Sequence, residues 1–241
     1  MGIETKLQRS KSLTAMAKGE IRQDIIEGRL AFGQQLSESA LALSLGISKT
    51  PVREALLQLK LEGLVAIEPQ RGTFVFSLTE DQVRELCRFR EVIETAALGL
   101  AMESDCSELA HQLTAVLGGV KKSRRDEALS RQLDTEFHSA IVKCCGNSYL
   151  QLAYQLISDK IHALRARLPK HDERVDACQK THAAILALVR KGNIADARQS
   201  LGRHIMSTET SYLATNRLQA ADATLTRQSR SKSAPGGKND R

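Results

Sequence analysis

Four ionisable side chains occupy inward positions of helices predicted in the C-terminal half of the chain. Asp134 and His138 are four residues apart, so both lie on one helical stripe, while His182 and His204 lie on the apolar stripes of two later helices. A carboxylate and an imidazole at this spacing can bind one ion. A single inward His is more often a hydrogen-bonded core residue, but three of them with an Asp favour a divalent metal site.

Arg90 is a fifth charged residue at a predicted core position. Val83, Ile93 and Ala97 recur around it at helical spacing. A buried guanidinium is unfavourable unless it meets an anion. The anion is either an internal carboxylate, such as that of Glu94, or the carboxylate of a bound organic acid held bidentately. We predict Arg90 as a ligand-binding residue and keep the internal pair as the alternative.

A third set of chemically suitable residues lies in the stretch from Gly46 to Leu56, which begins with a turn. Gly46 permits the bend, and Ser48 or Thr50 can cap the following helix. Lys49, Thr50 and Arg53 are then left near the N-terminus of that helix, away from its apolar stripe. Small polar and basic groups at the start of a short helix suit the major groove of DNA.

The elements that position this stretch form a winged helix-turn-helix. Apolar spacing predicts helices from Leu13 to about Glu27, from Ser37 to Gly46 and from Ser48 to about Glu62, and then a β-hairpin over 64–76. The hairpin tip, Arg71 and Gly72, is placed against a phosphate backbone or minor groove. The alternatives are that Arg53 pairs with a neighbouring side chain and that Arg71 only keeps the tip soluble.

The remainder of the chain is predicted to be helical, with breaks at 104–107, 118–125, 146–147 and 169–172. This gives six helices, the last ending near Asn216. The fold class is mainly α: an N-terminal winged helix-turn-helix followed by an all-α six-helix bundle. We predict a disordered N-terminus over 1–11, a DNA-binding domain over 12–77, a helical ligand-binding domain over 78–217 and a disordered basic tail over 218–241.

Composition agrees with this division. Aromatic residues make up 3% of the 241 residues and Trp is absent, so aliphatic side chains must fill the core, as in helix-on-helix packing. The formal net charge of +7 favours an anionic partner. Five Cys with no C-x-x-C pattern, no signal peptide and no long apolar run predict reduced thiols and a cytoplasmic protein that does not enter the membrane.

The N-terminal third resembles the GntR family of bacterial transcription regulators. The matching residues include Leu36-Ser37-Glu38, the run from Leu45 to Leu56, Glu62-Gly63-Leu64-Val65 and Arg71-Gly72-Thr73-Phe74-Val75. The resemblance implies recognition-helix contacts at Ser48, Lys49, Thr50 and Arg53, and wing contacts at Arg71 and Gly72. Two positions depart from the family pattern, because Lys49 stands where Arg is common and Ser39 stands where some members have a base-reading Arg.

The helical half resembles the FCD ligand-binding domain of the FadR-like subfamily, and its helix count is similar to the VanR-like branch. The supporting residues are Arg90 with Glu94, Asp134-x-x-x-His138, Gly146-Asn147, His182, Gly192-Asn193 and His204. The resemblance implies one divalent ion held by Asp134, His138, His182 and His204. Cys178, one turn before His182, is a substitute ligand, but the family pattern favours the His. The ion is expected to be zinc, with nickel or manganese as alternatives.

Three functions follow from these predictions. The first is a homodimeric regulator, which the family resemblance leads us to expect to be a repressor that releases operator DNA in response to a small organic acid. The second is a metal-dependent enzyme, although His-Glu-x-x-His and a paired Glu-x-x-His are both missing from the sequence. The third is a constitutive DNA-binding protein with a structural metal. We expect the first, and therefore no enzymatic activity.

Overall fold

The computed structural model describes residues 12–119, 127–168 and 172–232. The predicted disordered N-terminus lies outside the described residues, as does the end of the predicted tail beyond Lys232. The described residues divide into two compact units, one formed by 12–78 with 152–166 and the other by 79–119, 127–151, 167–168 and 172–232.

The N-terminal part of the first unit, residues 12–78, contains three helices and a small sheet. Helix α1 spans Leu13–Ile26, α2 spans Glu38–Leu45 and α3 spans Lys49–Leu61. Ser37 caps α2 by accepting a hydrogen bond from the backbone N–H of Ala40. Gly46 ends the same helix in the left-handed region, at φ 66°, which gives the chain its turn into α3.

The sheet has one strand more than the sequence predicts. Strand β1 spans Gln35–Leu36, β2 spans Val65–Glu68 and β3 spans Gly72–Val75, in the antiparallel order β1-β3-β2. The connector before α2 supplies β1, whose two residues are too short to show any alternation in sequence. Their pairing covers the outer edge of β3, so the predicted hairpin becomes a three-stranded wing.

The core of the first unit is aliphatic and includes one residue from far along the chain. Ile21 and Ile25 from α1 pack with Leu56 and Leu59 from α3, each 0–1% exposed. Ala163, fully buried, belongs to the same cluster. The sequence places 152–166 in the helical half, but the contacts of this segment group it with the helix-turn-helix.

The helical half begins at a capping box. Thr79 accepts a hydrogen bond from the backbone N–H of Gln82, and the Gln82 side chain accepts one from the backbone N–H of Thr79. Helix α4 then spans Glu80–Gly118 and is kinked at Asp105, which has non-helical φ and ψ of −152° and 89°. The Asp105 carboxylate accepts from the backbone N–H of Glu108 and so restarts the helix after the kink.

Four more helices follow in the described part of the chain. Helix α5 spans Glu127–Cys144, α6 spans Ser148–Ala166, α7 spans Asp172–Arg190 and α8 spans Ile194–Lys232. In the second unit, α4 packs against α5, α7 and α8, and α7 packs against α8. With the two segments of α4 counted separately the helical half has the six helices that the sequence predicts, which confirms the fold class.

The last helix is longer than the sequence predicts. We expected α8 to end near Asn216 and a disordered tail to follow, but the helix continues to Lys232. Residues 217–232 are rich in Ala, Leu, Gln and Arg and contain no Gly or Pro, so nothing in their composition ends a helix.

Within the described residues, no helix has both the length and the apolar character needed to cross a membrane.

Candidate metal centre and nucleic-acid interface

Three helices of the second unit bring the four predicted metal ligands together. Asp134 and His138 come from α5, His182 from α7 and His204 from α8, and one donor atom from each lies within 4.8 Å of all the others. The Nε2 atoms of His182 and His204 are 3.1 Å apart, and Asp134 Oδ1 is 3.6 Å from His182 Nε2 and 3.8 Å from His138 Nε2. Ligands about 2.0–2.2 Å from one ion are separated by such distances.

Burial and aromatic packing fix the imidazole rings. His138 and His182 are 0% and 1% exposed, and His204 is 8% exposed. The ring of Phe137 stacks on that of His182, with centroids 3.9 Å apart and planes 9° apart. The His138 and His204 rings are also nearly parallel, with centroids 5.3 Å apart. Rings held in this way present their nitrogen atoms to a common point without having to reorganise.

A buried carboxylate links Arg90 to the metal centre. Glu94 Oε1 accepts a hydrogen bond of 2.6 Å from Arg90 Nε, and Glu94 Oε2 lies 2.5 Å from His138 Nδ1. Arg90 and Glu94 are 1% and 0% exposed. A carboxylate on one ring nitrogen fixes the tautomer of a ligating His and raises its basicity. The internal partner that the sequence left as an alternative for Arg90 is therefore present, and its carboxylate also reaches His138.

The chemistry of the donor set fits a divalent metal. One carboxylate oxygen and three imidazole nitrogens are borderline donors that suit zinc, nickel or manganese. The Asp134 side chain is the most exposed of the four, at 16%, so Asp134 forms the accessible edge of an otherwise buried donor set.

The predicted nucleic-acid interface lies at the start of α3. Ser48 is the N-cap residue, but its side chain makes no capping hydrogen bond, and Ser48, Lys49 and Thr50 are all exposed. The opposite face of α3 is buried through Val52, with Leu56 and Leu59 behind it. The amphipathic helix is therefore held by its apolar side while its polar N-terminus remains available to a partner.

Arg53 has an intramolecular partner in α2. Its guanidinium donates three hydrogen bonds of 2.8–3.1 Å to the carboxylate of Glu38. These hydrogen bonds lower the pKa of Glu38 below its ordinary value. The Arg53 side chain is nevertheless 64% exposed. Because exposed ion pairs contribute little to stability, this one can be exchanged for a contact with DNA.

The wing shows a similar arrangement at its tip. Arg71 pairs with Glu68, lies 5.8 Å from the centre of the Phe74 ring and is 73% exposed. Gly72 has φ 117°, and a Cβ there would lie 2.8 Å from Gln35 Nε2, whose amide donates to the Arg71 carbonyl. The backbone conformation thus favours glycine at 72, while the Gln35 amide is the end of a flexible side chain that could move aside. This explanation of Gly72 is independent of any DNA contact.

The structure brings together some predicted site residues and adds others. The four predicted ligands converge at one point, and Arg90 is linked to His138 through Glu94. The six predicted DNA-contact residues lie at the N-terminal end of α3 and in the wing. Sequence analysis missed the contact of Glu94 with His138 and that of Glu38 with Arg53. Both contacts join separate helices, and no spacing rule predicts either of them. Spacing indicates only that Glu94 lies one turn after Arg90 and within its reach.

Comparisons with known proteins match both parts of the chain. Residues 13–75 match the family described as bacterial regulatory proteins, gntR family, and residues 85–207 match the FCD domain. An HTH-type transcriptional regulator in an unstable DNA locus of Streptomyces ambofaciens is 32% identical over 194 residues, covering 77% of this chain and 79% of the relative.

Two further proteins show the same similarity. The gluconate operon transcriptional repressor of Bacillus subtilis is 28% identical over 190 residues, covering 76% of this chain and 77% of the relative. A solved structure of a GntR transcriptional regulator from Rhodococcus sp. RHA1 has a TM-score of 0.70 and 25% identity, covering 83% of this chain and 97% of that one. The similarity therefore extends over both units.

Proposed function

Because the chain belongs to the GntR family of bacterial regulatory proteins and carries an FCD domain, it is a transcriptional regulator, and we propose that it is a repressor controlled by a small organic acid. The acid binds at a divalent metal centre formed by Asp134, His138, His182 and His204. The observation that carries the proposal is the convergence of these four donors within 4.8 Å in the unit that follows the helix-turn-helix. A relative of this chain, matched over 76% of this chain and 77% of its own length, is the repressor of the gluconate operon in Bacillus subtilis.

The chain's own residues have separate tasks in this proposal. The four donors hold the ion, which supplies a Lewis-acidic anchor for a carboxylate when it is bound. Glu94 orients His138, and Arg90 holds the Glu94 carboxylate in place through their 2.6 Å hydrogen bond. A direct contact of Arg90 with the effector remains a prediction. Sugar acids, dicarboxylates and aromatic acids are the candidate effectors.

In operator binding, Ser48, Lys49, Thr50 and Arg53 contact the major groove and Arg71 and Gly72 contact the backbone or minor groove. Support comes from the exposure of the four recognition-helix residues and from the exposed guanidinium of Arg71. Because one copy of the chain makes few contacts, its affinity for DNA is limited. We therefore propose that two copies bind a palindromic operator together.

Two exposed apolar stripes support the homodimer. On α4, Phe89, Val92 and Leu100 are 44%, 66% and 37% exposed. On α6, Tyr149, Leu152 and Leu156 are 82%, 58% and 74% exposed. Both sets follow helical spacing and so form continuous faces rather than scattered residues. We propose that a second copy of the chain covers these faces.

The DNA contact is tested with Arg53→Ala. Loss of the guanidinium should weaken operator binding by about 1–3 kcal/mol and relax specificity. The measurement is fluorescence anisotropy on an operator selected from random DNA, at fixed salt. Lys60→Ala, at the exposed C-terminal end of α3, is the control and should retain affinity. Equal affinity of Arg53→Ala and the wild type would refute the recognition-helix assignment.

The metal centre is tested with His138→Ala. We expect metal content to fall well below one equivalent, and we expect the metal-dependent rise in Tm to be lost because a ligand and its Glu94 contact are both removed. His111→Ala, an exposed His on α4, is the control and should behave like the wild type. Unchanged metal content would exclude the site.

The response to an acid is tested by titrating the metal-loaded protein with acids of the three classes. Release of the operator by one of them, and loss of that response in Asp134→Ala, is the expected result. Turnover of the acid would instead indicate an enzyme. Operator binding that no acid alters would indicate a constitutive DNA-binding protein.

A further inference from the structure

A thiol lies beside the four metal-binding donors. Cys178 Sγ is 3.2 Å from Asp134 Oδ1 and 3.8 Å from His182 Nε2. For comparison, the His182–His204, Asp134–His182 and Asp134–His138 donor atoms are 3.1, 3.6 and 3.8 Å apart. The sulfur atom is therefore as close to two of these donors as they are to one another.

Helix geometry places Cys178 and His182 on the same side of α7. Cys178 and His182 are four residues apart on α7, as Asp134 and His138 are on α5. The two helices thus each present an i, i+4 pair of metal-binding side chains to one point. His204 on α8 closes the group from a third direction.

The thiol lies at the accessible edge of the centre. Cys178 is half-buried and Asp134 is 16% exposed, whereas the three His are 0–8% exposed. A thiol is a weak hydrogen-bond donor, so its bond to the Asp134 carboxylate contributes little by itself. A thiolate is, in contrast, a strong ligand for zinc and cobalt and a poor one for manganese and magnesium.

We propose that Cys178 is a fifth ligand of the ion held by Asp134, His138, His182 and His204. The inference rests on the metal centre proposed above and goes beyond it in two respects. The thiolate makes the site prefer zinc-like ions over manganese. It also occupies the accessible edge, so that an effector carboxylate must bind beside the sulfur or displace it.

The test is the absorption spectrum of the full chain loaded with one equivalent of Co²⁺. A thiolate ligand gives an intense sulfur-to-cobalt charge-transfer band in the near ultraviolet, in addition to the weaker visible bands that any Co²⁺ site gives. We expect the intense band in the wild type and in Cys144→Ser, whose half-buried thiol lies outside the centre. In Cys178→Ser we expect the intense band to be lost while one equivalent of cobalt remains bound.

A second measurement uses only the wild type, in case the variant does not fold. Bound Zn²⁺ should slow alkylation of Cys178 by iodoacetamide and leave that of Cys144 unchanged, as measured by peptide mass mapping. Stoichiometric cobalt without the charge-transfer band, or a band that persists in Cys178→Ser, would overturn the thiolate ligand while leaving the metal centre intact. No cobalt binding in any variant would instead overturn the centre itself, and the fifth ligand with it.

Discussion

At the scale of single residues, the most consequential group is the buried chain formed by Arg90, Glu94 and His138. Helical spacing alone predicts that Arg90 is buried and that Glu94 is within its reach. It does not predict that the second oxygen of Glu94 meets His138, because that contact joins α4 to α5. The candidate ligands were thus predictable from spacing, but the group that orients one of them was not.

Neutralising Glu94 should destabilise the fold, because its buried carboxylate contacts both Arg90 and His138. Glu94→Gln removes this negative charge from beside the Arg90 guanidinium, which is 1% exposed. Removing one partner of a buried pair typically costs about 3–5 kcal/mol, so we expect a loss near the lower value because the amide can still accept one hydrogen bond. Urea unfolding of the metal-free protein measures it.

The matched control is Glu103→Gln, an exposed residue on the same helix, which should change the free energy of unfolding by less than about 0.5 kcal/mol. A Glu94→Gln variant as stable as this control would show that another group compensates Arg90.

At the scale of elements, the helix-turn-helix is held by an aliphatic core and by a charged contact between α1 and α3. Glu62, at the C-terminal end of α3, accepts hydrogen bonds from Lys18 and Arg22 on α1. Both helices were predicted from sequence, since apolar spacing is local. Ser48 is the N-cap residue of α3, one of the two residues predicted there, whereas the Ser12 N-cap of α1 was not predicted. The pairing of Gln35 and Leu36 with β3 was not, because a two-residue strand carries no periodic signal.

The Glu62 contact should make the stability of the first unit depend on pH. Burial raises the pKa of Glu62, but the hydrogen bonds and charges of Arg22 and Lys18 outweigh it, so the folded pKa lies below the ordinary value. A carboxyl group with a lowered pKa stabilises the fold above its unfolded pKa of about 4.3, and this stabilisation is lost as the pH falls through the folded pKa.

Glu62→Gln should therefore destabilise the protein by about 1 kcal/mol at pH 7, a small value because the side chain is 32% exposed. The difference from the wild type should close below about pH 4. Thermal unfolding at a series of pH values measures both effects. Glu20→Gln, on the exposed side of α1, should show no such pH-dependent difference; a constant gap at every pH would contradict the mechanism.

At the scale of the whole molecule, the proposed homodimer leads to a prediction about self-association. If a second copy covers the apolar faces of α4 and α6, a charge in either face should dissociate the dimer. Val92→Glu and Leu156→Glu should each give a monomer and weaken binding to a two-site operator, because burying an unpaired carboxylate is unfavourable. Sedimentation velocity measures the oligomeric state.

Leu61→Glu is the control for these variants, since Leu61 is 88% exposed and belongs to neither face. It should leave the oligomeric state unchanged. Dimers that persist in both Val92→Glu and Leu156→Glu would show that the copies associate through another surface.

The helix count and the fold class followed from the sequence, because Gly, Pro and capping residues mark the ends of helices locally. The packing of α6 against the helix-turn-helix could not be predicted from the sequence. Nothing in residues 152–166 indicates contacts with residues more than a hundred positions earlier. The length of α8 was underestimated for a different reason: the basic and Ser-rich composition after Asn216 suggests a tail, yet its Ala, Leu and Arg content is compatible with a helix.

The shared helix α6 has a practical consequence for building chimaeric regulators. Exchanging DNA-binding domains at Leu78 would separate the helix-turn-helix from Ala163, which is fully buried in its core, and from Asp159, which lies 3.4 Å from Arg22. A donor domain grafted at that junction would meet a foreign α6 with unmatched packing. A functional graft must therefore carry over the α6 positions that face α1 and α3, so the exchangeable module is discontinuous in the gene.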